Sequence, residues 1–444
     1  MKRILSILIV LTLLLGACST ALSQEENITL TVWTGPNWTG VYSDDDGTGS
    51  YTDFLSHVGQ EFTKVHPNVN VEVSLIDNAQ RTEKLAVAIS SGTTPNVYFE
   101  SDFLCNDYIH EGLLLPLNDL VEDADRADID QSIWDLVTYN DDVYIYPFFA
   151  ENGHLMVNLS LFEKAGALDM IPERDEHGII HWTPEQFRAC LEAVSTLEDV
   201  YPFGAFAGSS PGDTWTVMMI RMFGAEYISA NGLTVGMNSP EGVQGLKYFG
   251  KLQEDGLLAP GVETLTLSDL FQMFFNNQLA VCYMNDLNYF NIDKGFAEGT
   301  MEQFDYAWAY FPHENGDPKC FTYVKGGMVF AGHGDYQDQM AKEFVKFLCA
   351  GEYTKASLNM LPIRQSVIGQ MEDENLISVA NSLEHSVPFY NKAAGYLSIR
   401  PEYLAMMQAY FSGQKDAETA LADFAASAEQ ILAENAELSV IFSP

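Results

Sequence analysis

The sequence predicts an α/β chain built as two domains. Three observations carry this: a length of 444 residues, an opening run that alternates strand and helix patterns, and a helix-rich final quarter. The length exceeds what one hydrophobic core usually serves. With 47% hydrophobic and 12% aromatic residues there is material for two cores, and 19% charged residues is too few for a disordered chain. No tandem repeat is visible.

The chain opens on Met1-Lys2-Arg3, an apolar stretch from Ile4 to Leu15, and then Leu15-Gly16-Ala17-Cys18. A charged start, an apolar middle and a small-residue cleavage site make an export signal. The apolar stretch falls short of the ~20 residues that cross a bilayer, so residues 1–17 are expected to be cut away. The polar stretch that follows, to Asn27, reads as a tether.

Ile28–Trp33 alternates, is rich in β-formers and breaks at Gly35-Pro36, as a first strand entering a loop would. Phe54, Val58, Phe62 and Val65 then recur at helical spacing until His66-Pro67 stops the helix. A strand is expected over Val69–Leu75, and a helix around Leu85, Val87 and Ile89 that ends at Ser91-Gly92. After Pro95 comes a strand over Asn96–Glu100. Strand, helix, strand, helix, strand implies a mainly parallel sheet covered by helices, with ligand sites at the carboxyl ends of its strands.

Further on, Leu155–Val157 reads as a strand, Pro184–Leu197 as a helix opened by Thr183, and Pro240–Asp255 as a helix closed by Gly256. Tyr306–Phe311 and Met328–Ala331 are strand-like, and helices dominate from Gln337 onward. A helical tail after a set of α/β units suggests that the chain crosses between its domains more than once.

Composition excludes some functions. Removing Lys2 and Arg3 with the leader takes the formal net charge from −40 to −42, and 22 basic against 62 acidic residues leave no basic run for nucleic acid. Cys105, Cys190, Cys282, Cys320 and Cys349 are odd in number, widely spaced and without a C-x-x-C pair. Buried free thiols are therefore expected rather than a disulfide framework or a metal site. Asp44-Asp45-Asp46-Gly47 has the look of a calcium loop, but Tyr42 stands where its first ligand belongs, so an acidic surface loop is expected. The nine His are scattered without H-x-x-x-H or H-E-x-x-H, which speaks against a zinc hydrolase; no metal or cofactor is expected.

Several local phrases, in order, carry a family resemblance. Phe62-Thr63-Lys64-Val65-His66-Pro67-Asn68-Val69, then Lys84-Leu85-Ala86-Val87-Ala88-Ile89-Ser90-Ser91-Gly92 with Pro95-Asn96-Val97, resemble phrases of bacterial extracellular solute-binding proteins. So do Tyr146-Pro147 followed by Asn158–Gly166, Trp182–Phe187, Lys342–Leu348, and Leu361-Pro362-Ile363-Arg364. Each phrase is mostly a helix cap or an amphipathic pattern; together they span nearly all of the mature chain and resemble the carbohydrate-binding branch typified by maltose-binding proteins. Cys18 likewise resembles the lipid-modified cysteine of a bacterial lipobox.

The resemblance implies a two-lobed, periplasmic-binding-protein-like α/β fold with a ligand cleft and hinge crossovers near 148–150, 310–312 and 332–335. It places 18–27 as a lipid-anchored tether, 28–149 with 310–334 in lobe 1, and 150–309 with 335–444 in lobe 2. It implies a monomer held on the outer face of the cell membrane through Cys18, catching a sugar and handing it to ABC permease subunits.

A sugar offers apolar ring faces and a fringe of hydroxyls, so its site needs aromatic platforms and charged or amide partners. Trp33, Asn37 and Trp38 follow the first strand, and Glu100 and Asp102 end the third. The plain alternative for these is a packed Trp and a solvated acid. The resemblance puts a sugar-binding acid at Glu151, at the first crossover, and an aromatic wall at Trp215 with Asp213 nearby. It offers Asp286 and Tyr289 by position only, because the family's usual Gly and Trp there are replaced. Gly326 and Gly327 match a loop where backbone nears ligand, and also suit a plain turn; Arg364 completes the set. Three rival functions stay open: a protein binding peptide or polyamine, a secreted glycoside hydrolase using two carboxylates, and an adhesin without hinge closure.

Overall fold

The computed structural model describes residues 27–35, 51–77 and 80–438. Asn37, Trp38, the acidic loop at 44–46, Cys18 and the leader lie outside the described residues.

Strand β1 (Ile28–Thr34) pairs in parallel with β2 (Val69–Leu75) and β3 (Val97–Ser101). The helices between them, Tyr51–Val65 and Arg81–Ser91, bury Phe54, Val58, Phe62 and Leu85. The second stops at Gly92, whose φ of 68° lets its N–H turn back to the last carbonyls. The sequence's strand-helix-strand pattern thus holds, because its apolar spacing switches between two and 3.6 residues at these boundaries.

A small hairpin, β4 (Thr138–Tyr139) and β5 (Asp142–Val143), precedes the central strand β6 (Tyr146–Asn158), thirteen residues that are all buried. At 3.3 Å per residue β6 reaches about 43 Å. Up to Gly153 it pairs with β10 (Phe321–Val329); from His154 it pairs with β8 (Leu279–Met284), and over Leu155–Asn158 with β9 (Tyr306–Ala309). β10 lies antiparallel to β3 through Lys325–Val329, with a register break against β6 between Lys325 and Gly326. β7 (Tyr201–Phe203) flanks β8, and β11 (Leu361–Pro362) adds to β6. The order is β2-β1-β3-β10-β6-β8-β7. β6 and β10 therefore tie a first-lobe sheet to a second-lobe sheet.

The first-lobe core gathers Leu30, Val32, Phe62, Phe99 and Phe344; the second gathers Trp182, Phe187, Phe203, Phe249 and Tyr283. Thr183 opens the helix Pro184–Val194 as expected: its hydroxyl accepts from the Gln186 amide, and the Gln186 side chain accepts from the Thr183 amide.

The lobe boundaries differ from expectation at two places. The helix Asp335–Cys349 packs on β1, β6, β10 and the helix Tyr51–Val65, with Phe344 edge-on to Phe62 at 5.3 Å, so it stays with the first lobe instead of opening the second. Tyr310 stays with the second lobe, where its carbonyl accepts from the Trp182 indole at 2.9 Å. An amphipathic stripe says that a helix must bury one face, and not which sheet will cover it. Among the described residues no helix is long and apolar enough to cross a membrane. The five described cysteines are buried and unpaired, and burial pushes their thiols up, Cys190 to about 11 and Cys349 to about 12.

Candidate functional site

A cavity of about 220 Å³ opens between the lobes. Arg81, Ser101 and Phe103 reach it from the first lobe, Trp215, Asn285 and Arg400 from the second, and Glu151, Tyr323 and Lys325 from the crossing strands. A larger hollow of about 360 Å³ lies between Ile133 and Phe389, with Asp135, Tyr390 and Lys392 in its lining. The smaller cavity is singled out because both lobes and the hinge strands converge there with charge and aromatic surface.

The register of β6 and β10 builds its floor. Tyr323 stands opposite Glu151 and Lys325 opposite Phe149, and alternation along each strand turns Glu151, Tyr323 and Lys325 to the same face. Lys325 Nζ lies 2.6 Å from Glu151 Oε1, and both side chains are 3% exposed. The Tyr323 hydroxyl donates to Glu151, as does the Asn285 amide at 3.5 Å. Two further pairs flank this one. Arg81 Nη1 meets Glu100 at 2.9 Å, and Arg400 grips Asp213 through Nε at 2.7 Å and Nη2 at 3.0 Å. The forked Arg400 contact fixes a plane as well as a charge, and its guanidinium also stands 5.3 Å over the Phe103 ring.

Asp286 sits beside Glu151 at the start of the helix Asp286–Glu298, buried, with neither oxygen meeting a donor in good hydrogen-bond geometry. Burial first, and then the Glu151 carboxylate, push its carboxyl well above the usual range, against the pull of Lys325. The floor thus brings carboxylate acceptors and cationic donors together within one small volume.

Of the residues expected from sequence, Glu151 and Trp215 line the cavity; Trp215 stands edge-on to Phe321 at 4.9 Å and to Tyr283 at 5.9 Å. Glu100 and Asp213 are placed behind it, each holding a cation that lines it. Asp102 lies beneath: fully buried, it accepts from the Val324 amide at 3.0 Å and the Tyr390 hydroxyl at 2.8 Å, and burial raises its carboxyl to about 6.

Among the described residues, the structure does not bring Trp33, Tyr289, Gly326, Gly327 or Arg364 to the lining of this cavity. Trp33 is half-buried against the larger core. The Tyr289 hydroxyl donates to Asp373, and its ring packs on Trp308. Gly326 and Gly327 are small because β6 and the helix behind them are close: a Cβ on Gly326 would stand 2.1 Å from the Tyr146 carbonyl, and one on Gly327 2.8 Å from Val345. Arg364 ties Asp125 at 2.9 Å to the Cys349 carbonyl at 3.1 Å.

Arg81, Phe103, Tyr323, Lys325 and Arg400 were not foreseen from the sequence. A lone lysine inside the apolar run Phe321–Val329 was the available signal, since a strand lysine with no solvent needs a buried partner. Arg81 and Arg400 carry no such mark, because each lies in an ordinary helix.

Comparison with known proteins places this geometry. Residues 46–352 match the sequence profile described as bacterial extracellular solute-binding protein. A Brucella abortus chain named as a binding protein is 22% identical over 228 residues, 51% of this chain and 52% of that one. The match thus spans about half the length of this curated relative. A Thermotoga lettingae ABC transporter solute-binding protein bound with α-D-tagatose superposes with a TM-score of 0.72 at 19% identity, covering 91% of this chain and 99% of that one. The cyclic α-maltosyl-1,6-maltose binding protein of Arthrobacter globiformis gives 0.72 at 18%, covering 92% and 99%. An Agrobacterium radiobacter ABC transporter solute-binding protein in complex with ribitol gives 0.70 at 17%, covering 91% and 99%. At such identities the likeness establishes the fold, a two-lobed periplasmic-binding-protein architecture.

Proposed function

We propose that this chain, which belongs to the bacterial extracellular solute-binding protein family, is the binding component of an ABC importer that takes a sugar or oligosaccharide between its lobes. The observation that carries the reading is one cavity lined by both lobes and by β6 and β10. A solute held there touches both lobes at once, so its contacts exist fully only when the lobes are closed. A ligand shifts an equilibrium only by its differential affinity for the two states, and bridging contacts supply that difference.

The chemistry suits a polyhydroxylated solute. Arg81, Lys325 and Arg400 donate, Glu151 accepts, and Trp215, Phe103 and Tyr323 supply apolar surface. Glu151 is committed to Lys325, which favours holding a glycoside over cleaving it, a reaction that needs one free acid and one free base or nucleophile. The tagatose, cyclic maltosyl-maltose and ribitol named for the structural neighbours are all polyhydroxylated, in keeping with this class. Cys18 serves as the lipid anchor in this proposal; a Cys18→Ser chain then leaves the membrane fraction.

The test is a thermal-shift screen of the chain after Cys18 against mono- and oligosaccharides, alditols, peptides and polyamines. A sugar is expected to raise the unfolding midpoint without being consumed. Trp215→Ala is expected to weaken that sugar about tenfold or more, from the loss of stacking worth about 1–2 kcal/mol. Consumption of the sugar, or shifts from peptides or polyamines alone, would overturn the proposal.

A further inference from the structure

Away from the cavity, three side chains from two distant parts of the chain meet on the second lobe. His177 Nε2 lies 3.6 Å from Glu384 Oε1, and His385 Nε2 lies 3.8 Å from the same oxygen. One ligating atom from each of the three falls within 4.8 Å of the other two. We propose that His177, Glu384 and His385 form a binding site for a divalent transition-metal ion of the zinc class, separate from the solute cavity.

The distances fit such an ion. Nitrogen and carboxylate ligands stand about 2.0–2.2 Å from zinc, so tetrahedral neighbours stand about 3.4 Å apart. The two separations from Glu384 need to contract by only a few tenths of an ångström, and the third, between the two imidazoles, is at most 4.8 Å. Glu384 is free to make that move because its side chain is 66% exposed, whereas the two histidines are held. Asp175 Oδ1 accepts from the amides of His177 and Ile179, both at 2.9 Å, which fixes the turn carrying His177. The His385 carbonyl accepts from the Cys320 amide at 3.2 Å, which pins that residue beside the entry to β10.

A second observation points to a ligand. Among the described residues, His177 Nε2 is buried and meets no hydrogen-bond partner. Buried polar atoms left unpaired are uncommon in folded proteins, and a cation bound at this cluster satisfies His177 Nε2. Two imidazoles with carboxylates select zinc, cobalt, nickel or copper over calcium or magnesium. No H-x-x-x-H phrase announces the site, because His177 and His385 meet only in the tertiary structure.

The experiment uses the full chain, stripped with chelator and titrated with Zn²⁺ by calorimetry, then with Co²⁺ for its visible absorption. One equivalent of Zn²⁺ is expected to bind and to raise the unfolding midpoint, and Co²⁺ is expected to give the intense bands of a tetrahedral site. His385→Gln and His177→Gln are expected to lose at least tenfold in affinity, and His66→Gln, which faces Glu343 in the first lobe, is expected to lose none. Glu384→Gln, at an exposed position that does not disturb folding, is also expected to lose tenfold. Absence of stoichiometric binding, or binding unchanged in Glu384→Gln and His385→Gln chains whose metal-free midpoints match wild type, overturns the proposal.

Discussion

Replacing Asp102 by Asn isolates the cost of one buried acid beneath the cavity. In the unfolded chain this carboxyl releases its proton near its ordinary value of 3.8; in the fold, burial raises it to about 6 although Tyr390 and Val324 pull it back. Between those two values the folded state holds the proton longer than the unfolded state. Wild-type stability from this group is therefore greatest below about pH 4, falls as pH rises, and levels off above about pH 6. A rise of about two pH units at about 1.4 kcal/mol each gives about 3 kcal/mol across that window. Asn carries no proton, so the stability of wild type relative to Asp102→Asn should decline by about 3 kcal/mol between pH 4 and 6.5 and then stay flat. Urea unfolding at half-unit pH steps, without ligand, measures it. Tyr390→Phe removes a hydroxyl that donates to the carboxylate and should push the carboxyl higher, moving the decline to higher pH. Wild-type and Asp102→Asn curves that run parallel from pH 4 to 7 would refute the reasoning.

Two further outcomes are expected. Lys325→Met strands Glu151 beside Asp286 in a dry place and should cost about 3–5 kcal/mol, most of it recovered by adding Glu151→Gln; urea unfolding of the four chains decides, and additive losses would sink the coupling. Gly326→Ala drives a methyl group against the Tyr146 carbonyl and should cost about 3 kcal/mol or more, whereas Gly369→Ala, with only Gln365 O at 3.4 Å, should change the unfolding midpoint little.

Local patterns survived into the structure where the determining forces are local. The alternation that defines β1 and the apolar spacing of Phe54, Val58 and Phe62 depend on neighbours a few residues away, and the Thr183–Gln186 cap on three. Glu100, Asp102, Glu151, Asp213 and Asp286 were singled out from strand ends, crossovers and family phrases, and all five are buried. Their partners escaped notice because an ion pair is set by register: Lys325 finds Glu151 only once β10 lies antiparallel to β6. The glycine pair was matched to a loop near ligand, yet its smallness answers to the Tyr146 carbonyl and Val345, which approach from other parts of the chain.

By itself, then, the sequence determined that this is a two-lobed α/β solute-binding chain with an acidic body. Periodicity, capping and ordered family phrases are written residue by residue. Only the tertiary structure decided which sheet the helix Asp335–Cys349 covers, which cations the buried acids hold, and that His177 meets Glu384 and His385 across more than two hundred positions. Those contacts join segments with no sequence relation, and they exist because two cores bury enough apolar surface to hold the segments together.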